Sequence, residues 1–354
     1  LTGNIQKSDG VLGIHHITAI ARNPQRNIDF YSGLLGLRLV KLTVNFDDPA
    51  TYHLYYGDSI GHPGTILTFF PWSEAPNGHR GTGQVTCISF LISSASMGFW
   101  VDRLKRNDIS FVGPSKRFSD EFVSFYDPDG LMLELISSSS TSPSAELERQ
   151  QDQKQEQDVT WKQSTVAKEH AIRGFHSATL SEEGYERTAS LLTETMGFEL
   201  LTKDNKEGRF RFGIVDKNSN QEGRDASSSS IGSIVDLVCQ PDIPRGYVGI
   251  GTVHHIAWRA TSDKHQIDLR QRLTKESHLN PTPVLDRTYF HSVYYREPGG
   301  ILFEIATDPP GFTIDERPED LGTQLKLPEW LEPVRVKIEQ VLPPVKLPGK
   351  TIEQ

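Results

Sequence analysis

The sequence predicts an α+β fold: four βαβββ modules forming two paired-module domains. Three observations predict it. The octet GIHHITAI at residues 13–20 returns as GTVHHIAW at 251–258. DPDGLMLELI, from residue 127, is echoed by EPGGILFEIA, from residue 297. Finally, four stretches at a period of roughly 80 residues share one plan: a short apolar strand, an amphipathic helix, then several strands.

Module one opens at GIHHITAI. Its helix is expected near 24–35 and stops at Gly36, a C′ glycine. LRLVKLTVNF, TYHLYYGD and GTILTFFPW follow as strands. Module two opens at GQVTCISFLI, has a helix around 96–106, and ends in FVSFYDPDGLMLELI, whose Asp-Gly turn is a hairpin signal. Module three opens at GFHSATL, with a helix around 185–195 and then GFELLT, RFRFGIV and GSIVDLVCQ. Module four runs from GTVHHIAWRA through a helix around 263–274 to YFHSVYYREPGGILFEIA. The expected domains are therefore 10–137, the N-terminal pair of modules, and 169–308, the C-terminal pair. Between them, 138–168 is rich in Ser, Gln and Glu and cannot bury enough apolar area to offset ordering entropy, so it reads as a linker. Residues 216–231 read as a long surface loop. The tail from 309 to 354 is Pro-rich and is expected to wrap on the surface, with one short helix near 330–341.

Composition narrows the function. The chain is 36% hydrophobic and 23% charged, as in soluble globular proteins. A net charge of −9 argues against a nucleic-acid partner. No apolar run is long enough to span a membrane. The two cysteines, Cys87 and Cys239, cannot make a disulfide framework and read as buried small apolar residues. With no signal-peptide core in LTGNIQKSDG, a cytoplasmic location is expected.

Aligning the modules exposes a candidate site. The position of His16 is His255 in module four, Cys87 in module two and Ser177 in module three. Glu304 aligns with Glu134 in module two and with Phe69 in module one. Only His16, His255 and Glu304 make a complete set. Two imidazoles and one carboxylate form a facial metal site with open positions, which suits Fe(II), with Mn(II) also accommodated and zinc less natural. Glu304 lies among apolar residues, where a bare carboxylate is costly and a cation relieves the cost. Glu134 lacks a histidine partner and reads as structural. A lone histidine on a strand is ordinarily a core or surface residue, and His53, His62, His79, His170, His176, His265, His278 and His291 read that way.

HHIT, YHLYYGD, HPGTILTFFP, RGFHSATL, HHIAW, PGGILFEIA and GFTIDERPEDLG together resemble the vicinal oxygen chelate superfamily (glyoxalase, bleomycin resistance, extradiol dioxygenase). More narrowly, they resemble its ring-cleaving dioxygenases that open hydroquinones. GFTIDERPEDLG is the more specific marker. The resemblance implies a non-haem Fe(II) enzyme acting on an aromatic diphenol and O₂, with no nucleic-acid or membrane partner and a homo-oligomer left open. It implies metal ligands His16, His255 and Glu304, drawn from first and last modules that pair with each other. It also implies active-site roles for His15, Thr18, His254, Arg287 and Tyr294. Arg287 would steady a substrate oxygen and Tyr294 would donate a hydrogen bond; module two has Ser124 at the position of Tyr294. Strand alternation raises a difficulty, because His16 and Thr18 face one side and His15 the other. His15 and His254 reach the site only if a twist or bulge turns them inward. Two other functions fit the modules less well. A glyoxalase-like isomerase or lyase wants a second carboxylate where Phe69 aligns. A metal-free aromatic-binding module has no use for a full His-His-Glu set.

Overall fold

The structure is a computed structural model that describes residues 10–138, 161, 163–215 and 231–348. Of the linker expected over 138–168, residues 139–160 and 162 fall outside the described residues, while Ser164 and Thr165 bond to the Gly36 and Gly33 carbonyls; of the loop expected over 216–231, all but residue 231 falls outside. Module one supplies β1 (Ile14–Ala21), β2 (Arg38–Asn45), β3 (Asp48–Gly57) and β4 (Ile66–Pro71). Module two supplies β5 (Gln84–Leu91), β6 (Phe111–Arg117), β7 (Asp120–Tyr126) and β8 (Met132–Ser138). Module three gives β9 (Gly174–Glu182), β10 (Glu199–Asp204), β11 (Arg209–Gly213) and β12 (Ile234–Cys239). Module four gives β13 (Val253–Ala260), β14 (Leu285–Asp286), β15 (Phe290–Arg296) and β16 (Leu302–Pro310).

The strands form two eight-stranded sheets, in the orders β14-β15-β16-β13-β1-β4-β3-β2 and β10-β11-β12-β9-β5-β8-β7-β6. Module one is therefore joined to module four through β1 and β13, and module two to module three through β5 and β9. Each sheet takes one module from either side of the linker. Within a module the first strand runs parallel to the last, and the connection between them carries the helix and the two middle strands. The module-one helix, Pro24–Ile28, is capped by Asn23, whose side chain accepts from the Arg26 N–H, and then widens into a π turn over Asp29–Leu34. Gly36 follows at a φ of +73°, where the sequence places its stop.

The two sheets meet in a closed ring of four backbone hydrogen bonds. Gly64 N donates to His15 O, Phe175 N to Gly64 O, Gly232 N to Phe175 O, and Ile14 N to Gly232 O, at 2.7–2.9 Å. A Cβ at Gly174, beside this ring, would lie 2.5 Å from the Ile231 side chain, so the strands approach only because that residue is glycine.

The tail departs from a simple surface wrap. A short helix, Arg335–Val341, does sit in the expected region. The GFTIDERPEDLG stretch, however, packs inward: Phe312 and Leu321 are buried with Tyr55 and Tyr289. The wholly buried Lys41 on β2 donates from Nζ to Phe312 O at 3.1 Å and to Asp315 at 2.5 Å, and it pairs with Glu316. A buried ammonium needs such partners, and this tail supplies them. Cys87 is buried as expected, whereas Cys239 is only half-buried at the end of β12.

Candidate metal centre

Strand register decides which side chains share a face, and it corrects one alignment. On β4 the residue equivalent to Glu304 is Thr68, not Phe69. His16 pairs with Ile66 and Thr18 with Thr68, whereas Ala257 pairs with Glu304. Phe69 is one residue off, so it faces the opposite side, packed on Tyr31 at 4.6 Å. The same count puts Asp236 at the Glu304 position of module three, since Thr179 pairs with Asp236. Thr68 is still not a carboxylate, so the first sheet offers a single one.

His16, His255 and Glu304 converge. His16 Nε2 lies 3.3 Å from His255 Nε2 and 3.3 Å from Glu304 Oε2, and His255 Nε2 lies 3.0 Å from the same oxygen. All three side chains are buried. Ser292 Oγ donates to Glu304 Oε1 at 2.5 Å, but Oε2 has no hydrogen-bond partner. Burial alone would push the Glu304 carboxyl up; positive charge on the two imidazoles, the part a bound cation takes over when their Nε2 atoms are lone pairs, outweighs it and holds the carboxyl well below the usual range.

The paired histidines explain the orientation of these rings. His15 Nδ1 lies 2.9 Å from His16 Nδ1, and His254 Nδ1 lies 2.7 Å from His255 Nδ1. The Thr307 backbone favours a proton on the far side of the His15 ring. A neutral His15 thus carries its proton toward Thr307 and accepts from His16 Nδ1–H, which leaves His16 Nε2 as a bare lone pair. His254 and His255 meet through the same pair of Nδ1 atoms, and a proton on His255 Nδ1 leaves its Nε2 bare in the same way. Burial holds His15 well below its ordinary value and His254 down to about 3, so both rings are neutral.

Bulges resolve the alternation difficulty. Along β1 and β13 the pairing jumps between Ile14 and His16, and again between His255 and Val253. His15 and His254 are the extra residues. The His15 carbonyl is committed to Gly64 rather than to the β13 ladder. The second sheet repeats both jumps, at Thr86 and His176, so the bulge belongs to the module and the chemistry to the residue placed in it.

The remaining predicted residues border the trio. Thr18 Oγ1 lies 2.8 Å from Thr68 Oγ1. Tyr294 lies opposite Glu304 on β15, its ring 5.7 Å from that of His255. Arg287 sits over the Tyr294 ring at 5.5 Å and pairs with Asp47 at 3.0 Å. His291, by contrast, bonds to Asp263 at the start of the module-four helix, Asp263–Lys275, and Asp308 pairs with Arg259.

One side chain that the sequence reading set aside lies in this cup. His53 bonds through Nε2 to Thr68 Oγ1 at 2.9 Å and through Nδ1 to Tyr55 Oη at 2.8 Å. The signal was present: HLYYGD at residues 53–58 matches SVYYRE at 292–297, which makes His53 the counterpart of Ser292 and Tyr55 that of Tyr294. Phe290 also went unnoticed; it packs on both His15 and His16.

The donor set fits a metal ion. With the Nδ1 protons committed, three acceptor atoms face one point, and only a cation satisfies all three. Two atoms each about 2.1 Å from a shared ion lie about 3.0 Å apart at a right angle, close to the spacings found here. Among the described residues this is the one such grouping of three or more His, Cys, Asp or Glu side chains.

Fold and site together define a class. A sequence profile of the Glyoxalase/Bleomycin resistance protein/Dioxygenase superfamily matches residues 13–135. The chain belongs to this vicinal oxygen chelate superfamily, on its ring-cleaving dioxygenase branch. It is 45% identical to "Putative ring-cleaving dioxygenase MhqO" of Bacillus subtilis (strain 168), over 95% of this chain and 97% of that protein. It is 31% identical to the "Chlorohydroquinone/hydroquinone 1,2-dioxygenase" of Sphingobium indicum, over 94% of this chain and 96% of that protein. A crystal structure titled "putative dioxygenase" from Bacillus subtilis shares 43% identity and a TM-score of 0.82, covering 96% of this chain and 99% of that one. Glyoxalase I of Zea mays, 14% identical with a TM-score of 0.57 over 84% of this chain and 92% of that one, shares the fold alone. Among the described residues no helix is long and apolar enough to cross a membrane.

Proposed function

We propose that the protein is an Fe(II)-dependent dioxygenase that opens the ring of a hydroquinone-type para-diphenol. One C–C bond beside a hydroxylated carbon breaks, and both atoms of O₂ enter the product. The observation that carries this reading is the buried Glu304 Oε2, unpartnered and facing two imidazole lone pairs. The names of the relatives support the substrate class.

His16, His255 and Glu304 would hold the metal, with Mn(II) as the other candidate. When bound, the iron supplies the electronic coupling between an electron-rich ring and O₂. The chain supplies the rest. His15 and His254 fix the ligand tautomers, and such outer partners are worth 10–100-fold in affinity or activity. Ser292 holds the second oxygen of Glu304. Arg287 and Tyr294 present a cation and a hydroxyl donor to a substrate oxygen. Phe290, Phe70 and Trp72 give the cup apolar walls around the two histidine pairs.

The test is oxygen uptake by protein loaded anaerobically with Fe(II), with methylhydroquinone, chlorohydroquinone and catechol as substrates and Glu304→Ala as control. Uptake with hydroquinones that vanishes in the control supports the reading. Bound iron without uptake on any diphenol sinks it and favours a non-redox isomerase.

A further inference from the structure

Across the cup from Glu304, three strands carry an unbroken row of hydrogen bonds. Tyr55 Oη lies 2.8 Å from His53 Nδ1, His53 Nε2 lies 2.9 Å from Thr68 Oγ1, and Thr68 Oγ1 lies 2.8 Å from Thr18 Oγ1. The row occupies, in module one, the places where module four puts Tyr294, Ser292 and Glu304. In both modules the same bond recurs: Ser292 donates to Glu304 as His53 bonds to Thr68. Module four ends that bond on a metal ligand, and module one ends it on neutral hydroxyls.

Counting protons makes the row directional. The four groups hold four donor hydrogens when His53 is neutral, one each on Tyr55, His53, Thr68 and Thr18. Three bonds use three of them, so one is left over. If His53 carries its hydrogen on Nε2, then Tyr55 donates to it, it donates to Thr68, and the surplus hydrogen lies on the threonine pair. If the hydrogen is on Nδ1, every bond reverses and the surplus lies on Tyr55. In that second arrangement the surplus Tyr55 hydrogen has no acceptor among the described residues, since His53 is the one hydrogen-bond partner of Tyr55 Oη and the Tyr55 ring packs on Phe312 at 5.2 Å and on Tyr289 at 6.1 Å. A buried donor without an acceptor costs roughly 1–3 kcal/mol. The threonine end is as buried as Tyr55 but faces the cup, where a water or ligand oxygen can accept the surplus hydrogen: Thr18 is two residues along β1 from His16 and shares its face.

We propose that His53, held by Tyr55, is a positioning residue that aims the surplus hydroxyl of the Thr18–Thr68 pair at an oxygen atom bound beside His16. This rests on the dioxygenase reading for the identity of that oxygen. The Nε2-protonated tautomer of His53 is its signature and does not depend on turnover.

The tautomer is read by long-range ¹H–¹⁵N correlation on the metal-free, histidine-labelled chain, with His53→Asn for assignment. Protonation on Nε2 is expected; protonation on Nδ1 overturns the proposal. In iron-loaded enzyme, Thr68→Val is expected to lower kcat at least about tenfold with iron content unchanged, and Thr68→Ser to restore most of it. Wild-type kcat and KM in Thr68→Val would also overturn it. Complete inactivity of the wild type toward diphenols counts against the dioxygenase reading alone, and the tautomer then decides this one.

Discussion

The two sheets are built on one plan and solve the same electrostatic problem in opposite ways. In the first, two imidazoles and one carboxylate face a common point, and among the described residues no Lys or Arg pairs with that carboxylate. In the second, the histidine positions hold Cys87 and Ser177, and carboxylates occupy both equivalents of Glu304. Those carboxylates, Glu134 and Asp236, are each gripped by arginine. Arg117 clamps Glu134 through two bonds of 2.8 Å, and Arg211 and Arg209 clamp Asp236 at 2.7–3.1 Å. Arg211 also pairs with Asp120, which lies 3.5 Å from His176. Three guanidinium groups thus balance three carboxylates, all bonded within the sheet. A buried carboxylate needs a cation. One cup brings its own on side chains; the other leaves the place open for a metal.

The sharpest break of this contrast is Glu304→Ala. It should reduce retained metal, measured by elemental analysis after desalting, to under about a tenth of the wild-type amount, and abolish turnover. Metal should raise the melting temperature of the wild type and leave the variant unmoved, because only binding to the folded state stabilises it. The mirror-image change in the second sheet, Arg117→Met, should leave metal content intact. It should cost about 3–5 kcal/mol in urea denaturation, because Glu134 is then buried without its partner. Replacing both residues, Arg117→Met with Glu134→Leu, should recover much of that loss.

The smallest expected effect is on acid stability. Burial, opposed by Asp120, holds His176 down to about 4, against an ordinary value of 6.5. Between these values the unfolded chain binds a proton that the folded chain refuses. The contribution of His176 is therefore complete above about pH 6.5 and is lost as the pH falls through about 4, worth up to ~3 kcal/mol. In metal-free protein, His176→Gln should show a smaller drop in melting temperature from pH 7 to pH 4.5 than the wild type. An equal drop would place the acid sensitivity elsewhere.

Much of this was legible in the sequence. Recurrence of HHI and of the turn-strand EPGGILFEIA set out four modules, and residue type at equivalent positions singled out His16, His255 and Glu304. These signals are local: a turn, an alternation and a repeated pair survive in a linear reading. Three things did not. The face on which a residue of β4 points depends on a one-residue register with β1, so Phe69 stood in for Thr68. The inward reach of His15 and His254 depends on bulges, one of them tied to a carbonyl drawn toward Gly64 of another loop. The value of His53 depends on Tyr55, two residues along the same strand, and on Thr68, 15 residues away, which meets it only when β3 folds onto β4. By itself the sequence determined which ligand types exist and how often the module repeats. Tertiary structure decided which modules pair, which histidines turn inward and which charges are already satisfied, because those follow from register and burial between segments far apart in the chain.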